Sequence, residues 1–168
     1  MTAKLKRGIT KVKDPGSALT HFIAMILAII AAIPLLSKAG HDSGHMHISA
    51  LAIFILSMIG LYAASTIYHT LDISPKINKL LRKIDHMMIF ILIAGTYTPV
   101  CMIVLGDKTG WTMLTLVWGI AIVGILINAL WITCPKWFSS LIYIAMGWVC
   151  ILAITKILSS MPRAGFMW

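Results

Sequence analysis

The chain has 168 residues, 60% of them hydrophobic and 11% charged, with a net charge of +9 at pH 7 and a mean hydropathy of +0.94. A soluble domain is nearer ~45–50% apolar with about a quarter of its residues charged, so there is too little charge here to clothe solvated helix faces. The basic residues sit in short clusters between long apolar runs, the pattern of membrane topology signals rather than of a nucleic-acid-binding surface.

A spanning helix needs about 20 predominantly apolar residues, because it must cross a hydrocarbon core ~30 Å thick at ~1.5 Å per residue. After a basic start (Lys4, Lys6, Arg7, Lys11, Lys13), residues 17–39 form the first such run. It ends on a small-x-small triplet, Ser37-Lys38-Ala39, but is longer than the ~7–15 residues of a signal-peptide core. It therefore reads as an uncleaved anchor. His21 lies one turn inside it, four residues after Ser17, and Pro34 lies near its far end.

A polar connection follows, His41-Asp42-Ser43-Gly44-His45-Met46-His47. His-x-His beside a third imidazole is a pattern that can take a divalent metal; outer loops also carry such residues without function, and both readings stand. Residues 48–71 form the second span. Near its end, Tyr62, Ser65 and His69 recur at helical spacing and share one face.

Ser74-Pro75 then reads as an N-cap with proline at the first helical position. Ile77, Leu80, Leu81 and Ile84 recur opposite Lys76, Lys79, Arg82 and Lys83. This is either a short basic amphipathic turn suited to an anionic leaflet or a charged loop leading into the next helix. The third span, 84–105, opens on Asp85 and His86 and carries Pro99 in Gly95-Thr96-Tyr97-Thr98-Pro99. Proline removes one backbone bond and presses toward the carbonyl of residue 95, so a kink is expected. The fourth and fifth spans, 111–132 and 137–158, both begin with a tryptophan, as helices do at the headgroup level. Cys101, Cys134 and Cys150 are scattered and form no framework.

The fold expected is an all-α polytopic membrane helix bundle of five spans in one membrane domain, residues 1–168. With the N-terminus inside, cytoplasmic segments hold Lys4, Lys6, Arg7, Lys11, Lys13, Lys76, Lys79, Arg82, Lys83 and Lys136, against Lys38, Lys108, Lys156 and Arg163 outside. Positive residues concentrate inside, so the N-terminus is expected in the cytoplasm and the chain in the cell membrane. His21, Ser65, His69, Asp85 and His86 then fall at one depth on the inner side, from three different helices. Ionisable groups cost at least ~2.5 kcal/mol near the centre of a bilayer and mark functional candidates. Imidazole and carboxylate suit a borderline metal such as zinc. The alternative is a hydrogen-bonded clasp between helices.

Ser65-x-x-x-His69, then Asp85-His86, then Ala94-Gly95-Thr96-Tyr97-Thr98-Pro99, in that order along the helices, resembles the hemolysin III family, the bacterial branch of the progestin and adiponectin receptor-like membrane proteins. The resemblance runs from about Asp14 to the end of the chain. It implies a seven-helix bundle with a zinc site near the cytoplasmic side. His69 matches a zinc ligand, and Ser65 and Asp85 match residues beside the metal and its water, with Asp85 as a general base. Hydrolases of ceramide-type amides in the wider superfamily suggest a lipid substrate.

The family draws two further ligands from a His-x-x-x-His that this sequence lacks, with His21 and His86 as the imidazoles available instead. A truncated family member is therefore expected, holding less than one zinc per chain and hydrolysing no amide. Two functional readings result: a zinc-linked hydrolase or regulator of membrane lipid state, and a pore-forming cytolysin, as the family's name records. No span carries a polar stripe along its whole length, as a water-lined pore wall would.

Overall fold

A computed structural model describes residues 12–42, 44–130 and 136–160. Lys4, Lys6, Arg7, Lys11, Ser43, Cys134, Pro135 and the 161–168 segment with Arg163 lie outside the described residues, as do the side chains of His41, Asp42 and Lys136. The described chain is helical almost throughout. Its elements are α1 (Pro15–Asp42), α2 (Gly44–Thr70), α3 (Pro75–Pro99), α4 (Lys108–Leu130), α5 (Lys136–Trp148) and α6 (Ile154–Ser160). A π-helical turn, Val100–Leu105, continues α3, and a 3-10 turn, Val149–Ala153, joins α5 to α6. Among the described residues, five helical stretches are long and apolar enough to cross a membrane: Pro15–Gly40, Gly44–Thr70, Pro75–Leu105, Lys108–Leu130 and Trp137–Ser160. The all-α, five-span architecture expected from the sequence is the one observed.

One connection differs in shape from the expectation, and for another the structure decides between the two readings the sequence left open. The histidine-containing segment after the first span is not an open loop: α1 runs to Asp42 and α2 starts at Gly44. Its polar residues extend the two helix ends past their apolar windows. The basic stretch before the third span is the helical alternative of the two, since it forms the opening turns of α3 with the Ser74-Pro75 start read from the sequence. There Ser74, extended at φ −158°, accepts a hydrogen bond from the Ile77 N–H (3.3 Å), and Pro75 supplies the first turn. A hydroxyl satisfies one orphan N–H, and proline loses nothing where no partner existed.

Pro99 ends regular α-helix at the π turn, where the break costs least because its missing N–H already interrupts the ladder. The turn closes on Gly106, whose N–H bonds the Cys101 carbonyl (3.1 Å) at φ +58°, a left-handed conformation open to glycine without strain. Pro34, by contrast, is absorbed within α1.

The helices pack in sequence, α1 on α2, α2 on α3 and α3 on α4, with α5 against α3 and α4. Phe90, Ala94, Val117, Ala121 and Met146 form the buried centre between α3, α4 and α5. Small residues set the spacing. A Cβ at Gly124 would run into the Phe90 ring, and one at Gly95 into the Ser57 hydroxyl on α2. In lipid no hydrophobic transfer drives this contact, so close dispersion packing at small residues holds the helices together. Polar cross-links add to it: Trp118 Nε1–H donates to Thr98 Oγ1 (3.2 Å), and Ser139 donates to Asn128 Oδ1 (3.0 Å).

Candidate functional site

The site is built where the start of α1, the end of α2 and the start of α3 meet. The chain entering α1 closes the open end of α2: Asp14 N–H donates to the His69 carbonyl (2.9 Å) and Lys13 N–H to that of Thr70 (3.4 Å). The last carbonyls of a helix have no partner of their own, and here a neighbouring segment supplies one. The same contact places side chains. Asp14 Oδ2 lies 3.0 Å from His69 Nδ1, and the Lys13 ammonium sits 3.5 Å from the centre of the Tyr68 ring. A histidine in the last turn of a helix is also favoured by the carbonyl end of the helix dipole.

His21, one turn or more into α1, stacks on His69, with ring centroids 5.7 Å apart and planes 17° apart. The Tyr62 ring also lies by His21, with centroids 6.0 Å apart and planes 32° apart. Asp85, in α3, is buried, its side chain 12% exposed. The Ser65 hydroxyl and the His86 ring face its carboxylate, and His69 lies nearby. His86 Nδ1 lies 3.5 Å from Asp85 Oδ2, and that nitrogen is buried and makes no hydrogen bond among the described residues. The His86 carbonyl is held from α5 by the Tyr143 hydroxyl, which donates to it at 2.8 Å.

The structure thus brings His21, Ser65, His69, Asp85 and His86 to one end of the bundle, in two linked groups: Asp14–His69–His21, and Ser65–Asp85–His86. Asp14 is the member that the sequence did not single out. It lies just before the first apolar window, yet it is seven residues, two helical turns, ahead of His21, and that spacing puts both on one stripe. Chemically the groups offer a buried carboxylate able to accept a proton and an imidazole whose Nδ1 is engaged by Asp14, leaving Nε2 open.

That second feature is half of a metal-site pattern, because a ligating histidine usually gives its other nitrogen to a carboxylate. The donor set is nevertheless incomplete. Among the described residues no group of three or more His, Cys, Asp or Glu is arranged to hold a metal ion, and zinc sites take about three protein ligands even when catalytic. The described residues by themselves do not fit a closed zinc centre. Of the outer histidines, His47 Nδ1 is buried without a hydrogen-bond partner among the described residues, and the His41 side chain lies outside them.

The sequence model of a family described as Haemolysin-III related matches residues 9–168. A protein called Hemolysin-3 from Bacillus cereus is 38% identical over 167 residues, 99% of this chain and 76% of that protein. A Hemolysin-3 homolog from Bacillus subtilis (strain 168) is 35% identical over 154 residues, 92% of this chain and 72% of the relative. No solved structure matches the chain.

Proposed function

The chain belongs to the haemolysin-III-related family of multi-pass membrane proteins, and from that premise we propose that it acts on membrane lipid from the polar cluster at the Asp14–His69–Asp85 end of the bundle, as a zinc-linked hydrolase or a regulator of lipid state. One observation carries the reading. Asp85 is buried in a membrane-length helix, faced by Ser65 and His86, with the Asp14–His69 pair beside it. Ionisable groups at that depth are costly and rarely kept without a use. In this reading Asp85 is the proton acceptor. Ser65 orients its carboxylate, and Asp14 fixes the His69 ring so that Nε2 is the atom presented. Zinc joins only with donors beyond these residues, so the described set alone holds it weakly and below one per chain. The substrate class in this reading is an amide-linked lipid, which these residues without further zinc donors are not expected to hydrolyse, and the bilayer itself is the partner.

The second reading, a pore-forming cytolysin, has the relatives' name in its favour. The two make different demands, since a pore needs a wet lumen and no metal. Reconstitution into dye-loaded liposomes separates them. The lipid-acting reading expects leakage no greater than in protein-free vesicles. Chelator-insensitive leakage that persists unchanged in His69→Ala establishes the cytolysin instead.

A further inference from the structure

The opening turns of α3 carry two parallel stripes that the reading above does not use. Ile77, Leu80 and Ile84 recur at i, i+3 and i+7, and Lys76, Lys79 and Lys83 repeat the same spacing one residue earlier, so the two rows run side by side along the helix. The apolar row is open, with Ile77 39%, Leu80 56% and Ile84 36% exposed. Lys83 is already committed, donating to the Ala129 carbonyl at the end of α4 (3.1 Å). Lys76 and Lys79 are exposed and enter no ion pair among the described residues. The acids of this end are occupied elsewhere: Asp72 accepts from the Asn78 amide (2.7 Å), Asp14 meets His69, and Asp85 is buried.

Helix length and charge together place these rows. Pro75–Leu105 has 31 residues, about 46 Å of helix at ~1.5 Å per residue, against a hydrocarbon core of ~30 Å, so part of it must lie outside the core. The apolar run starts only at Ile84, and Lys76, Lys79, Arg82 and Lys83 all precede it, which puts the first turns in the headgroup layer. A cationic row there, beside an apolar row descending toward the acyl chains, matches a molecule with an anion at one end and hydrocarbon at the other. The geometry points to a binding site for an anionic phospholipid, its phosphate between Lys76 and Lys79 and its chain along Ile77, Leu80 and Ile84. The site is independent of the chemistry proposed for Asp85 and His69, and neither lysine contributes to that cluster.

The test is thermal unfolding of the purified protein in neutral detergent, titrated with phosphatidylglycerol, phosphatidylcholine or inorganic phosphate. Phosphatidylglycerol is expected to raise the midpoint saturably, and the other two are not. Lys76→Gln/Lys79→Gln should shift the phosphatidylglycerol titration by about tenfold or more, on the scale of two lysines at an anionic surface, while Lys76→Arg/Lys79→Arg keeps it. Unfolding of the glutamine variant without lipid should match the parent, since both side chains are exposed. Equal stabilisation by phosphatidylcholine, reproduction of the shift by inorganic phosphate, or an unchanged titration in the glutamine variant overturns the site.

Discussion

The Tyr97 hydroxyl occupies the place in the backbone of α5 where Cys150 would bond its own helix. It accepts the Cys150 N–H (2.9 Å) and donates its proton, shared, to the carbonyls of Met146 (2.9 Å) and Gly147 (2.8 Å). Regular α-helix gives way to the 3-10 turn at Val149. A side chain inserted into the ladder is a recognised cause of such a break, and here it comes from another helix. Tyr97→Phe removes both roles at once and leaves backbone groups without partners inside the bundle. A loss of about 1–3 kcal/mol is expected, measured by unfolding in detergent. Thr96→Ala, at an exposed position on the same helix, should stay within about 0.5 kcal/mol. Equal effects from the two would contradict the bridging role.

Asp14, His69 and Asp85 should behave as one network. Because Asp14 contacts His69 and His69 lies close to the Asp85 carboxylate, the pairs Asp14→Asn/His69→Ala and His69→Ala/Asp85→Ala should both be non-additive, by ~0.5–3 kcal/mol. Stability losses in the doubles that equal the sums of the singles would mean separate packing roles.

At the opposite end, Asp107 joins the start of α4 to α6. Its Oδ1 accepts from the Gly110 N–H (3.1 Å), and its Oδ2 is bonded by Lys156, which also donates to Thr109 (3.0 Å). The Lys156 ammonium, and then the Gly110 N–H, hold the Asp107 carboxyl below its ordinary value of 3.8. A depressed value means that the link stabilises the fold above that pH and is lost as pH falls through the folded-state value. The stability gap between parent and Lys156→Gln should therefore be constant near neutrality and close in acid below the ordinary carboxylate value. A gap that widens on acidification contradicts the pairing.

Orientation rests on charge counting and can be read directly. In a cysteine-free background, Lys79→Cys should react with an impermeant thiol reagent only after permeabilisation, and Lys38→Cys in intact cells. The reverse pattern inverts the bundle.

The spans and the depth of His21, Ser65, His69, Asp85 and His86 were legible because helix length and membrane thickness convert residue number into height. Asp14 was not, since it precedes the first apolar window and is brought in by a backbone pairing with the end of α2. The Gly95–Pro99 segment announced a kink, yet its larger role is in trans. Ser57 fills the space at Gly95, Thr98 receives Trp118, and Tyr97 opens α5. Nothing in Val149–Ala153 signals a break, because the cause is a hydroxyl 53 residues away. The 40–47 segment looked like a loop because polar composition was read as irregular backbone, whereas helix ends that leave the apolar zone are polar too.

Zinc retained per chain tests the central claim, that function resides in the His69–Asp85 cluster, most directly. The purified protein is equilibrated with zinc, freed of excess by gel filtration and assayed for metal. The account predicts retention below one zinc per chain, reduced several-fold in His69→Ala and unaffected by His45→Ala/His47→Ala. Retention that is unchanged in His69→Ala, or that disappears with the outer histidines, would contradict it.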